Sequence, residues 1–157
     1  MPGSGAHRRL WGHTGAFVVK GIAALCAAAK SGVDVRIMTP GIPDKPLVYA
    51  VTRSYYLPLL ESGVKIYEYT PGFMHSKTMV ADDQVAVVGT VNLDYRSLYM
   101  AFEDAVWLYG THSVLQIRDD FLETLPVCRE VQLAEYQSIP ALRKARWALL
   151  RLLAPLL

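Results

Sequence analysis

Cysteine is scarce: Cys26 and Cys128 stand about a hundred residues apart, in no metal-ligand spacing. Neither a disulfide framework nor a zinc site is expected, so each thiol reads as a small apolar side chain in a reducing compartment. Long hydrophobic runs are absent too. The longest, residues 16–29, is short for a membrane span and carries Lys20. Arg8 and Arg9 ahead of it imitate a signal peptide, but Gly12, His13 and Gly15 interrupt, and no processing is expected. Charge of one sign is also lacking. With 16 basic and 14 acidic residues the net charge is +2, too small to argue for nucleic acid or an anionic membrane by itself. What remains is 157 residues, 52% hydrophobic and 19% charged, enough for one globular domain with a real core.

Residues 1–14 are rich in glycine, arginine and histidine without periodicity and read as a loose tail. Residues 17–30 read as a helix with Ile22, Leu25, Cys26 and Ala29 on one face and Gly32 past its end. Residues 33–38 and 64–69 read as strands, with a helix over 47–61 between them that Pro58 should kink. That alternation argues for a parallel sheet flanked by helices. After Pro71 and Gly72 the rhythm changes. Residues 76–80 and 85–88 are apolar runs joined by a turn at 81–84, a hairpin, followed by a strand candidate at 102–109. Thr111 is placed to cap a helix running to 125, with Val114, Ile117, Phe121 and Leu125 inward. No pattern emerges over 128–136. Residues 140–157 form an amphipathic helix with Arg143, Lys144 and Arg151 opposite a leucine face. A domain over 15–136, followed by this basic helix over 137–157, is the expected organisation.

The chemistry concentrates between His75 and Glu103. The order is His75-Ser76-Lys77, then Asp82, then Gly89-Thr90-Val91-Asn92, with Glu103 eleven residues past the asparagine. Residues two apart on a strand point the same way, which sets an imidazole and an ammonium toward one site. A phosphodiester repels nucleophiles through its negative charge, and a fixed cation such as Lys77 lowers that barrier. Thr90 and Asn92 add neutral donors for the same oxygens. A neutral histidine, His75, can then attack phosphorus and divide one displacement into two. Its second ring nitrogen needs an acceptor, and Glu103 is the carboxylate assigned to it. Asp82 falls in the hairpin turn, which suits a structural role. A lone histidine is ordinarily structural, but six constrained positions agree by chance on the order of 10⁻⁷ of the time.

The pattern His75-x-Lys77-x4-Asp82-x6-Gly89-Thr90-x-Asn92 resembles the HKD signature of the phospholipase D superfamily, with threonine where serine is commoner. The stretches GVDVRIMTP, SYYLPLLESGVKIYEYTPGFMHSKTMVADD and VGTVNLDYRSLYMAFE resemble the C-terminal repeat of bacterial cardiolipin synthases, over roughly residues 16–157. The resemblance implies an α/β fold: a single repeat of a phospholipase D-like mixed sheet with helices on both faces. It implies His75, Lys77, Asp82 and Glu103 as the catalytic set and Lys77, Thr90 and Asn92 as phosphate-binding residues, with no metal or cofactor. It implies a phosphohistidine mechanism that moves a phosphatidyl group from one phosphatidylglycerol to another and releases glycerol. The setting implied is peripheral, on the cytoplasmic side of the cell membrane, at an anionic surface.

Members of the superfamily join two such motifs, one histidine attacking while the other protonates the leaving group. This chain has one; His7, His13 and His112 are not followed by x-Lys, and no internal repeat is visible. Family members also begin with a strand ahead of the first helix, which residues 1–14 do not resemble. A truncated chain is therefore expected, its second motif coming from a homodimer partner or a separate half. A homodimeric nuclease-type phosphodiesterase and an inactive, membrane- or partner-binding remnant are the alternatives. Outside the C-terminal helix no basic stripe interleaved with aromatics favours nucleic acid.

Overall fold

A computed structural model of the chain describes residues 8–13, 19–43, 45–92 and 100–152. Strands β1 (Arg9–His13), β2 (Asp34–Pro40) and β3 (Lys65–Tyr69) run parallel and form the middle of the sheet. Strands β4 (Thr78–Ala81), β5 (Val85–Gly89) and β6 (Ala105–Tyr109) extend it antiparallel from β1, and β7 (Cys128–Glu130) closes the far edge against β3. The seven-stranded order is β6-β5-β4-β1-β2-β3-β7.

Helices α1 (Val19–Lys30), α2 (Pro46–Ser54) and α3 (Tyr56–Glu61) lie on one face, and α4 (His112–Thr124) covers the other. The short α5 (Leu133–Gln137) and the terminal α6 (Ala141–Leu152) join the first group through Tyr136, Trp147 and Leu150. Period-two alternation divides the strands between these layers. Val35, Ile37 and Ile66 pack on Leu25, Tyr56 and Leu59, while Trp11 and Met38 face the other way onto Phe121. Val80 and Ala86 pack on Val114 of α4. Each fully buried side chain of this kind contributes roughly 1.5–3 kcal/mol. The mixed α/β sheet with helices on both faces is the architecture expected from the sequence. No helix among the described residues is long and apolar enough to cross a membrane.

The expected loose tail over 1–14 is corrected at residues 9–13, and residues 1–7 and 14 lie outside the described residues. Residues Arg9–His13 form β1, a central strand pairing parallel with β2 and antiparallel with β4. Gly12 breaks the apolar pattern there because a Cβ would stand 2.7 Å from the Thr78 carbonyl oxygen of the neighbouring strand. The strand expected at the head of the fold is therefore present.

The single helix expected over 47–61 is two, broken at Tyr55. Proline lacks an N–H and its ring collides with the carbonyl four residues earlier. For Pro58 that residue is Ser54, so the break falls one turn upstream and Pro58 sits in the first turn of α3. The patternless stretch 128–136 contains β7 and α5. Three residues cannot show a period, and α5 is marked by a capping box between Gln132 and Glu135. Thr111 occupies the N-cap position of α4 but makes no side-chain cap bond. The C-terminal helix is described to Leu152; residues 153–157 lie outside the described residues, as do 17 and 18 of the first expected helix.

A buried charge cluster ties these layers together. Glu68, 4% exposed, is 2.8 Å from Arg129 Nη2 on β7 and 3.4 Å from Arg53 Nε on α2. Arg129 also binds Glu135 of α5 at 2.8 Å, and Arg53 donates to the Tyr136 hydroxyl at 2.8 Å. The Glu135 and Glu68 carboxylates hold the Arg129 guanidinium well above its ordinary range.

Candidate active site

The hairpin of β4 and β5 and its neighbour β6 bring the ends of several segments to one edge of the sheet. Thr78 pairs with Val88, and beyond them Gly89 N–H donates to the Lys77 carbonyl at 3.2 Å. Thr90 N–H donates to the Asp104 carbonyl at 2.9 Å, which carries the β5–β6 pairing past the end of the strands. Lys77 and the exposed His75 enter this edge from the β4 side, Thr90 and Asn92 leave it from β5, and Glu103 approaches it ahead of β6. These strands are antiparallel, so residues far apart in the chain meet at one end. Gly89 is required at the meeting point: a Cβ there would run into the Asp104 carbonyl and stand 2.7 Å from Ala105 Cα.

Local bonds order this end. Lys77 Nζ donates to the His75 carbonyl at 2.8 Å, tying the lysine to the backbone of the nucleophile candidate. The His75 ring stacks on Phe73 with centroids 5.7 Å apart and planes 15° from parallel. Thr90 donates its hydroxyl to a Glu103 carboxylate oxygen and accepts the Asp104 N–H at 3.1 Å. Glu103 is thereby bonded to Thr90, the first residue past β5. Asn92 Oδ1 is buried without a hydrogen-bond partner among the described residues. Buried amides left in that condition carry a desolvation cost, and a ligand donor would relieve it.

Asp82 does not join this group. It lies at the opposite end of β4, in the turn at 81–84, where Asp82 and Asp83 take left-handed φ values of 51° and 57°. Two successive left-handed residues are the signature of a type I′ hairpin, and aspartate tolerates them better than most side chains. Asp82 Oδ1 accepts the Arg9 N–H at 2.7 Å, while Asp83 is 3.2 Å from Arg9 Nη1 and 3.4 Å from Arg118 Nη1 of α4. Asp82 thus anchors β1, apart from the other residues of the expected set, and its neighbour Asp83 ties the turn to α4. The reason is direction along the strand: five residues from Lys77, Asp82 reaches the far edge of the sheet.

His13 is the residue that sequence reasoning passed over. It ends β1 directly opposite Thr78, with Nδ1 2.7 Å from Thr78 Oγ1 and its ring edge-on to Phe121 at 5.1 Å. It thus pins the first residue of β4, next to Lys77. The only signal in the sequence was a histidine before a helix, which means nothing until β1 is placed. Burial pushes its pKa below the ordinary histidine value, with Asp120 opposing. Below about pH 6.5 the unfolded chain takes up a proton that folded His13 resists, so stability falls with pH until the lowered folded value is reached. Thermal melts of His13→Gln should show a shallower loss of Tm on acidification than the parent. Parallel curves would remove His13 as the titrating group.

Comparison with known proteins places the family and the fold. Residues 4–125 match the family model described as the PLD-like domain of cardiolipin synthase. A cardiolipin synthase of Geobacillus sp. strain WCH70 is 45% identical over 136 residues, covering 87% of this chain and 27% of that protein. A cardiolipin synthase 2 of Bacillus anthracis is 38% identical over 154 residues, covering 97% of this chain and 30% of its own length. The chain thus spans less than a third of the curated synthases it matches. Two solved structures share the fold at low identity. Nuc from Salmonella typhimurium, a phospholipase D family member, superposes with a TM-score of 0.70 at 18% identity, covering 82% of this chain and 84% of Nuc. Phosphatidylserine synthase of Haemophilus influenzae reaches 0.71 at 17% identity, covering 95% of this chain and 42% of that protein. By its sheet, its motif and these matches, the chain belongs to the cardiolipin synthase family through its phospholipase D-like domain.

Proposed function

We propose that this chain supplies one half of a phosphatidyltransferase site of the cardiolipin synthase type. The observation that carries this reading is the meeting of His75, Lys77, Thr90, Asn92 and Glu103 at one sheet edge, in a chain of that family. A ring nitrogen of His75 attacks the phosphorus of phosphatidylglycerol, the bond to the glycerol oxygen breaks, and glycerol leaves with a proton from a general acid. A hydroxyl of a second phosphatidylglycerol then loses its proton to the same group and displaces His75, forming cardiolipin. Lys77, the side-chain N–H of Asn92, and the Thr90 hydroxyl once it turns from Glu103 to the phosphate stabilise the non-bridging oxygens. Glu103, freed of the Thr90 hydroxyl, orients His75 in the assembled site. No step calls on a metal or cofactor. The work takes place at an anionic membrane surface, with the chain peripheral on its cytoplasmic side.

The general acid is the missing part, and a second motif supplies it, from another copy or a partner half. Edge strand β6 supports this: Val106, Trp107 and Tyr109 are 59%, 68% and 68% exposed, and nearby Phe102 is fully exposed. An unpaired apolar edge beside an incomplete site is a docking surface for a second half. Sedimentation of the parent chain should show a dimer, and Trp107→Arg should weaken it by about 30-fold or more. A chain that remains monomeric at high concentration and shows no turnover sinks the self-sufficient version.

The direct test is incubation with labelled phosphatidylglycerol followed by trapping of acid-labile phosphoenzyme. Label on His75, absent from His75→Asn, is the expected result; label elsewhere, or none, removes His75 as nucleophile. Metal-free cleavage of DNA that vanishes in the same variant would transfer the reading to a nuclease.

A further inference from the structure

Helix α6 is held to the domain by one side only. Trp147 packs against Tyr136 with centroids 6.0 Å apart, Leu150 reaches the core, and the Arg151 guanidinium lies 5.3 Å from the Tyr55 ring centroid. Lys144 donates to the Gln137 carbonyl at 3.1 Å on the same side. Part of the leucine face is turned away from the domain. Leu142 and Leu149 are 75% and 66% exposed and lie almost in line, since seven residues are nearly two helical turns. The exposed Ala145 lies between them, and exposed Arg143 and Arg146 flank the stripe. A helix that docks by one face normally shows polar residues on the other. This one shows leucines.

We infer that the outward stripe Leu142–Ala145–Leu149, with Arg143 and Arg146, is a surface that seats the domain on an anionic lipid bilayer. Charge favours that occupant. From residue 136 to 157 the sequence has no Asp or Glu and four basic residues, Arg143, Lys144, Arg146 and Arg151. A helix lying in the interface buries an apolar stripe to headgroup depth, and long arginine stems let guanidinium groups rise to the phosphates. Lys144 and Arg151 face the domain, and a protein partner of average surface would leave Arg143 and Arg146 unmatched, whereas an anionic leaflet matches both. An anionic phospholipid substrate, as proposed above, is what brings this face to a membrane. Vesicle binding is read without turnover, so the two readings fail separately.

The experiment is flotation of the purified chain with phosphatidylcholine vesicles, with and without phosphatidylglycerol. The chain should bind the vesicles containing phosphatidylglycerol, and salt should weaken that binding. Leu142→Ser with Leu149→Ser should lower partitioning about tenfold or more. Arg143→Gln with Arg146→Gln should lower it about 25-fold, at about fivefold per cation. Both double variants should keep the parent's circular dichroism and Tm, because these side chains lie outside the packed face. Parental binding by both variants, or none by the parent, overturns the assignment. So does a leucine variant that alters self-association and leaves vesicle binding unchanged, since a second copy would then own the stripe.

Discussion

Replacing His75 with asparagine should abolish phosphatidyl transfer, by about 10⁴- to 10⁶-fold where turnover is measurable, while Tm hardly moves. The two halves of that expectation have separate grounds. His75 is exposed, and its ring rests on Phe73, itself 62% exposed, so its removal leaves no cavity and strands no buried partner. Surface changes of that kind stay within about 0.5 kcal/mol. The chemistry has no such tolerance. Asparagine keeps polarity and much of the volume but offers no nucleophilic nitrogen, so the covalent route closes. Lys77 and the Asn92 side-chain N–H would still hold the phosphodiester, which predicts lipid binding close to the parent's beside lost turnover. A residual rate within tenfold of the parent would show that some other group attacks.

Glu68→Ala has the largest expected effect on stability, about 3 kcal/mol. The carboxylate is buried at 4% exposure and faces two guanidinium groups, so its removal leaves two positive charges facing each other at the sheet surface. Losing one member of a buried pair costs about 3–5 kcal/mol. The low end applies because the Arg53 and Arg129 side chains keep 32% and 42% exposure, and water screens part of the repulsion. Arg129 also retains Glu135 at 2.8 Å. For a chain of this size the corresponding drop in Tm is roughly 6–12 °C. Glu68→Gln should lose less, since an amide still accepts from Arg129. A melt within about 1 °C of the parent for Glu68→Ala would mean that the arginines re-pair elsewhere.

The site was more legible in the sequence than the strand that supports it. His75, Lys77, Thr90 and Asn92 carry rare side chains at fixed spacing, and such a pattern survives in one dimension. The hairpin was legible for a similar reason: Asp82 and Asp83 are tolerant of the left-handed backbone a type I′ turn needs. β1 was not. Its five residues, RLWGH, include an arginine and a glycine and so leave too few apolar positions to display a period. Missing β1 also hid His13, whose meaning depends on facing Thr78. The break at Tyr55 was displaced from Pro58 because proline acts on a carbonyl one turn back. The orientation of α6 was invisible because Leu149 and Leu150 both suit an apolar face, and tertiary packing selected Leu150 with Trp147.

The spacing of the motif has a further consequence. The four residues between Lys77 and Asp82 are Thr78–Ala81, the whole of β4. The aspartate and the lysine therefore mark the two ends of one strand, and the interval between them is a ruler. Its far end is clamped by Arg9, whose own strand is bolted to β4 residue by residue down to His13 and Thr78. One residue more or less within that interval would turn Lys77 to the opposite side of the sheet while the clamp held. An aspartate at the far end of β4 would thus determine which way the lysine faces.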